Sequence, residues 1–209
     1  MQRATYQGVC VIFTIGTLLF ASIYGLASLW PKYEERFVAM GVLGRNMKAE
    51  EYYPGNDSTV RVGDTLIWYI NLYNHWDKDQ NVSILVKVLN ATNSPPDDLK
   101  NEPSPIPPIM DMRLLLNENE TRIIPFTWQI EEAKFTWNTT ALEKLAINNQ
   151  TIPLNVYGTG WGKPLYSFQI VFELWIFNEE TGRYEYGWYP RDLSHRVWNG
   201  IWINVTSSS

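Results

Sequence analysis

The residues that could bind a metal ion are few and widely spaced. His75 and His195 are the two histidines, and a zinc site would need both of them together with carboxylates from distant strands. Asp77 and Asp79 alternate as calcium ligands do, but Lys78 stands between them and no twelve-residue loop with a closing glutamate follows. The spacing therefore favours a strand-end histidine and a solvated turn, and we expect no metal and no cofactor.

Nucleophilic and acid–base chemistry find equally little support in the sequence. There is no Gly-x-Ser-x-Gly elbow, and the neighbours Ser194 and His195 do not form a catalytic triad by adjacency alone. The acidic pairs Glu131–Glu132 and Glu179–Glu180 have the character of exposed turns rather than buried acid–base partners. Cys10, the single cysteine, lies in an apolar run, where a thiol stays protonated and inert. We therefore expect that the protein is not an enzyme.

The pattern Asn-x-Ser/Thr, in which x is not proline, is the most frequent motif. It occurs seven times, whereas the Ser and Thr content predicts about two occurrences by chance. An asparagine- and threonine-rich turn composition is the alternative explanation. The spread of the motif over the distal part of the chain predicts a glycosylated, outward-facing domain. The expected carriers of N-linked glycans are Asn56, Asn81, Asn90, Asn119, Asn138, Asn149 and Asn204.

Aromatic side chains near the C-terminus form a second group of candidate binding residues. Such rings can stack on sugars, but they can equally pack in the core or on a sheet face. An exposed aromatic patch would also mark a protein interface. The candidate residues are Trp161, Tyr184, Tyr186, Trp188 and Tyr189.

An apolar segment at the N-terminus indicates that the rest of the chain is attached to a membrane. Residues Ala4 to Pro31 carry no charge, and this run is longer than the roughly 20 residues of a membrane-spanning helix. A cleaved signal peptide is the alternative, since Arg3 precedes the run and Gly25-Leu26-Ala27 resembles a cleavage site. The length and the flanking aromatic residues favour a retained anchor in membrane lipid over residues 1–33. The seven Asn-x-Ser/Thr motifs, or sequons, then place the rest of the chain on the extracellular face.

Residues 34–209 form the second predicted domain, in which apolar residues alternate with a period of two. Many short runs of this kind predict the strands of an antiparallel sheet system. The run from Gln169 to Phe177 is apolar on both faces, which predicts a central strand covered on both sides. Asn81 and Asn204 fall on the polar side of their strands, where a glycan would point. The net charge of −5 argues against a nucleic-acid partner.

Two segments depart from this alternation. Thr140-Ala141-Leu142-Glu143 has the form of a capping box, and it predicts a short helix to about Ile147 within an insertion over residues 137–162. Residues 94–108 contain six of the twelve prolines and cannot pair as a central strand. This Pro-rich loop is expected to be either a binding loop or a mobile spacer.

A series of short motifs carries a resemblance to a known family. The motifs are an aromatic strand start, a glycine, three turn or strand-end patterns and a closing strand: Phe37, Gly44, Ala49–Pro54, Val62–Asp64, Leu72–His75 and Trp198–Val205. The series resembles the archaeal membrane-anchored proteins with the domain of unknown function called DUF sixteen-sixteen. Residues Asn119 to Trp128 are also similar to a strand of archaeal surface immunoglobulin-like domains. The resemblance implies a mainly β envelope protein with an antiparallel immunoglobulin-like β-sandwich, and it implies no activity.

Anchor, sequons and resemblance together predict a single-pass, N-glycosylated archaeal cell-envelope protein. Its expected partners are membrane lipid, N-linked glycans and the proteins of an envelope or surface-layer complex, in which it would be a structural or interaction subunit. The alternative is a cell-surface glycan-binding module that uses the aromatic residues.

Overall fold

The computed structural model describes residues 36–97, 100–158, 167–187 and 197–207, together with Thr17, Phe20 and Ser22. The chain divides into two units, Met1–Glu35 and Arg36–Ser209. The three described residues of the first unit have helical backbone and exposed side chains. The predicted anchor thus lies almost wholly outside the described residues. Within the described part of the chain, no helix has both the length and the apolar character needed to cross a membrane.

The second unit is a two-layered β-sandwich. The first sheet has the strand order β1-β3-β6-β7-β8, and the second has the order β2-β11-β9-β4-β5, with β10 paired to the end of β9. A 3₁₀ turn, Pro54–Asn56, precedes β2. The strands are β1 Phe37–Leu43, β2 Thr59–Arg61, β3 Thr65–His75, β4 Gln80–Asn90, β5 Met110–Leu116, β6 Thr121–Phe135, β7 Thr140–Ile147, β8 Gln150–Gly158, β9 Ser167–Asn178, β10 Arg183–Tyr186 and β11 Trp198–Thr206.

Alternating apolar side chains from both sheets fill the space between the two layers. Large aromatic rings form its centre: the ring centroids of Trp68 and Trp128 are 4.9 Å apart, and those of Phe126 and Phe172 are 5.0 Å apart. All four side chains are buried. Because such rings bury large apolar areas, the core is well filled without any covalent cross-link.

The prediction of a central strand covered on both faces is confirmed. β9 pairs with β4 on one side and with β11 and β10 on the other. Phe168, Ile170 and Phe172 face the core, and Val171 and Glu173 on the opposite face are equally buried. Something must therefore cover the outer face of the second sheet.

The Pro-rich loop provides that cover, and a buried ion pair holds it there. Lys87 on β4 and Glu173 on β9 lie 2.8 Å apart, with side chains 4% and 0% exposed. The Lys87 ammonium also donates to the carbonyl of Ser104 in the loop, at 2.6 Å. The Ser104 N–H and the Trp175 indole N–H donate to the Glu173 carboxylate, at 2.8 and 3.1 Å. These contacts hold the loop against the second sheet at Ser104.

The predicted helix at Thr140 is wrong, because these residues form strand β7. β7 pairs with β6 and β8, and Asn148 and Asn149, both with positive φ (48° and 66°), form the tight turn that follows. The ladder shifts register between Leu142 and Lys144. Core-facing Leu142 and Leu145 are therefore three residues apart, which imitates helical spacing. The predicted helical insertion is instead a β-hairpin as far as Gly158, and residues 159–162 lie outside the described chain.

The expectation of a wholly antiparallel system is also wrong at one edge. β2 pairs with β11 in parallel, with Thr59 opposite Asn204 and Arg61 opposite Thr206. After β1, residues 44–58 carry the chain from the first sheet to the second, and β2 then runs in the same direction as β11. Gly44 permits the tight start of this crossing, because a Cβ there would collide with the backbone carbonyl oxygen of Glu50.

A buried asparagine joins two turns at one end of the sandwich. The Asn74 side-chain nitrogen donates to the carbonyls of Lys78, Leu116 and Asn117, at 3.0, 3.3 and 2.9 Å. Its side-chain oxygen accepts the N–H of Trp76 at 3.1 Å. Asn74 thereby fixes the β3–β4 turn against the β5–β6 turn.

Candidate functional site

The outer face of the first sheet is broad and carries no charge at its centre. Nine outward-facing positions on β1, β3 and β6 form three rows across the strands, and none of them is acidic or basic. We call them the uncharged face: Leu43–Tyr69–Pro125, Gly41–Asn71–Ile123 and Ala39–Tyr73–Thr121. Ordinary solvated sheet faces carry charged side chains, so this composition is typical of a contact surface.

The uncharged face is open to solvent in the described structure. Ile123 is 45% exposed, and Ile67, directly beside the first row, is 43% exposed. The outer face of the second sheet differs, because the Pro-rich loop covers it around Ser104. An uncharged surface of this kind can bury area against a protein partner.

Five of the seven sequon asparagines have exposed side chains in turns, loops or on an outer strand face: Asn56, Asn81, Asn119, Asn138 and Asn149. Asn81 lies on the outer face of β4, where the strand parity predicts it. The Asn119 and Asn149 backbones have positive φ values of 54° and 66°, as expected for tight turns between strands.

The other two sequon asparagines use their amides to hold neighbouring elements together. The Asn204 nitrogen donates to the Ser58 hydroxyl at 3.0 Å, and its oxygen accepts the Ser167 hydroxyl at 2.7 Å. The Asn90 nitrogen donates to the carbonyl of Tyr157 on β8 at 2.7 Å. Asn204 has the outward parity that the sequence predicts, but β2 and β9 flank it and engage its amide.

The predicted aromatic group is only partly described. Trp161, Trp188 and Tyr189 lie outside the described residues. Tyr186 is 7% exposed and its ring centroid is 5.7 Å from that of Trp175. Tyr184 is partly buried: the Phe177 ring meets it edge-on at 5.3 Å.

An ionic group borders Tyr184 on the outer face of the second sheet. The Arg113 guanidinium lies over the Tyr184 ring, 5.0 Å from its centroid, and pairs with Asp111 at 2.7 Å. Burial pushes the pKa of Asp111 upward, but hydrogen bonds from Arg113 and Ser83 outweigh it and leave the pKa below its ordinary value. Asp111 is therefore ionised at neutral pH and acts as a partner for Arg113 rather than as an acid.

A cleft that the sequence did not predict lies where β1 ends and residues 44–58 leave the first sheet. Its volume is about 400 Å³, and Arg45, Glu51, Tyr52, Tyr53 and Ile67 are among its lining residues. The Tyr52 hydroxyl donates to the carbonyl of Val42 and the Tyr53 hydroxyl to that of Trp202, at 2.8 and 2.5 Å. Burial raises the pKa of both hydroxyls. The adjacent tyrosines before Pro54 were the available sequence signal.

The residues considered for metal binding are separated in the structure. His75 Nδ1 is 3.0 Å from the Tyr73 hydroxyl, Asp77 pairs with Arg36 at 2.6 Å, and Asp79 accepts the N–H of Glu118 at 3.0 Å. His195 lies outside the described residues. Across the described ranges, no three His, Cys, Asp or Glu side chains come together as metal ligands.

Comparison with known proteins gives similarity of fold only. No protein-family model matches the chain, and no curated protein matches it in sequence. The CARDB domain of a Pyrococcus furiosus protein, solved in complex with di-metal ions, is similar with a TM-score of 0.39 and 9% identity, over 83% of this chain and 91% of that chain. The β-glucosidase of Listeria innocua, solved in complex with gluconolactone, has a TM-score of 0.36 and 9% identity, over 81% of this chain and 16% of that chain. The strand pairing of the chain itself shows a mainly β, two-sheet sandwich.

Proposed function

We propose that the protein is a single-pass, N-glycosylated envelope protein whose sandwich domain is a structural or interaction subunit of a membrane or surface-layer assembly. The uncharged face carries this proposal. It lies on three adjacent strands, and Ile123 within it and Ile67 beside it are both exposed to water. A partner that presents a flat, uncharged apolar surface would remove them from water, which is favourable by about 25 cal/mol for each Å² buried.

The anchor and the carbohydrate belong to the same proposal. The charge-free run from Ala4 to Pro31 supports membrane attachment, and the five exposed sequon asparagines support display outside the cell. The family resemblance supports an archaeal envelope origin and an immunoglobulin-like type of sandwich. The proposed role requires neither a cofactor nor a reaction.

Cross-linking in native membranes, read by mass spectrometry, tests the interaction role. We expect Ile123→Asp and Ile67→Asp to abolish the cross-links between the domain and its partner, because each places a charge in the apolar contact. Leu115→Asp is the matched control, since Leu115 is 44% exposed but lies on β5 in the other sheet. A monomeric domain without any co-purifying partner, or equal losses in all three variants, would refute the role.

Glycan binding through the aromatic residues is the alternative. The Arg113 guanidinium already lies over the Tyr184 ring, so this alternative depends on the other aromatic residues, of which Trp161 and Trp188 are the ones to test. Binding to a glycan array that is lost in Trp161→Ala or Trp188→Ala would support this alternative. Array binding that is unchanged in both variants would exclude it.

A further inference from the structure

The seven sequons differ in the two groups that glycan transfer requires. Transfer joins the asparagine Nδ2 to the sugar, and the transferase recognises the Ser or Thr hydroxyl two residues later, which is why the motif contains it. A folded domain can act as an acceptor only where both groups are accessible. The inference below rests on the proposed glycosylation and concerns which sites the folded domain offers.

At two sequons the nitrogen is engaged within the fold. The Asn204 nitrogen donates to Ser58, and the Asn90 nitrogen donates to the carbonyl of Tyr157. The Asn90 oxygen also accepts the N–H and the hydroxyl of Thr92, at 2.9 and 2.8 Å. A sugar on either nitrogen would have to fit beside a partner that the fold already holds within hydrogen-bond distance of that nitrogen.

At three other sequons the hydroxyl is engaged or buried. Ser83, which completes the Asn81 sequon, is 2% exposed and donates to Asp111. Thr140, which completes the Asn138 sequon, is 0% exposed. Ser58, which completes the Asn56 sequon, already accepts the Asn204 amide. A transferase could reach the hydroxyls of Ser83 and Thr140 only before β4 and β7 pair with their neighbours.

The remaining two sequons present both groups on the surface. Asn119 and Asn149 are exposed residues in tight turns, and Thr121 and Thr151, at the required positions, are also exposed. The Asn119 nitrogen has only a long contact of 3.3 Å to the exposed side chain of its neighbour Glu118. The Thr151 hydroxyl likewise has a long contact of 3.3 Å, to exposed Glu131. Both contacts can exchange for contacts with an enzyme at little cost.

We propose that Asn119 and Asn149 are the two acceptor sites of the folded domain, whereas Asn81 and Asn138 are modified only on the unfolded chain. The donor is a polyprenyl-phosphate-linked oligosaccharide. The bond between Nδ2 and sugar C1 forms as the bond between C1 and the phosphate oxygen breaks. The proton lost from Nδ2 goes to a carboxylate of the transferase, and the polyprenyl phosphate is the leaving group.

Transfer in vitro onto the full-length, unglycosylated chain in detergent tests this proposal. A purified oligosaccharyltransferase and its lipid-linked donor are added to the folded chain and, separately, to a tryptic digest of the same chain. Site occupancy is then read by mass spectrometry. We expect the digest to be modified at buried-hydroxyl sequons such as Asn81 and Asn138, and the folded chain at Asn119 and Asn149 alone. In the Thr151→Val variant, which lacks the hydroxyl of the Asn149 sequon, we expect no transfer to Asn149 and unchanged transfer to Asn119.

Two results would overturn the proposal. One is transfer onto the folded chain at any of the other five sequons, Asn56, Asn81, Asn90, Asn138 or Asn204. The other is no transfer at Asn119 and Asn149 when the digest is modified. The proposed display outside the cell is tested separately, by occupancy in native membranes. Seven bare asparagines there would refute the display and leave the in vitro acceptor pattern unaffected.

Discussion

Replacing Lys87 by methionine tests how firmly the Pro-rich loop is fixed. The substitution keeps most of the side-chain volume but leaves the Glu173 carboxylate, 0% exposed, without its cation. Removing one partner of a buried ion pair costs about 3–5 kcal/mol. For a domain of this size each kcal/mol lowers the melting temperature by about 2–4 °C, so we expect a decrease of about 6–20 °C.

Thermal unfolding followed by circular dichroism measures this decrease, and trypsin reports on the loop itself. Cleavage after exposed Lys100 should accelerate in Lys87→Met, because the ammonium no longer holds the carbonyl of Ser104. Lys144→Met is the matched control, since the pair of Lys144 with Glu132 is half exposed and contributes little. If Lys87→Met and the control have the same melting temperature, and trypsin cleaves the loop no faster in Lys87→Met, then the Lys87–Glu173 pair does not hold the loop.

Three further predictions concern stability. Asn74→Ala removes a side-chain nitrogen that contacts three backbone carbonyls, one in its own turn and two at the β5–β6 turn. We expect a loss of about 2–4 kcal/mol in urea unfolding, and an unchanged midpoint would contradict this. Asn204→Gln should destabilise the domain by about 1–3 kcal/mol, because it disturbs the contacts of Asn204 with the Ser58 and Ser167 hydroxyls. Asn81→Gln is the control and should not destabilise the domain, since Asn81 is exposed. Equal effects of the two substitutions would show that the Asn204 contacts contribute nothing to stability. A backbone hydrogen bond from Asn117 and, second, the Arg122 guanidinium hold the pKa of Glu120 below its ordinary value of 4.5. The ionised Glu120 carboxylate therefore stabilises the fold fully at neutral pH, and this stabilisation is lost as the pH falls below 4.5. Glu120→Gln should therefore flatten the acid side of the stability profile, and an unaltered profile would disprove this.

Strand positions could be predicted from side-chain alternation, and the central place of β9 from a run that is apolar on both faces. Both are local signals. The outward parity of Asn81 and Asn204 followed from the same rule. The helix at Thr140 was predicted wrongly, because a register shift at Glu143 changes the spacing of core-facing residues. Local spacing cannot separate a bulged strand from a short helix without knowledge of the partner strands.

The contacts of the candidate sites depend on residues far apart in the chain. Lys87 and Glu173 are separated by 86 positions, so nothing near either residue indicates a buried pair. Asn204 and Ser58 are separated by 146 positions, and the sequon pattern alone treats Asn204 as identical to Asn149. The absence of charge on the uncharged face becomes apparent only when the register of three strands is known.

The Pro-rich loop has a consequence for how copies of this domain could assemble. The loop covers the outer face of the second sheet around Ser104, so that part of the face cannot meet a second molecule. Exposed Leu115 and Trp202 lie elsewhere on the same sheet. A stack of copies through both sheet faces would therefore have to pass beside the loop, whereas a symmetric pair through the uncharged face would not.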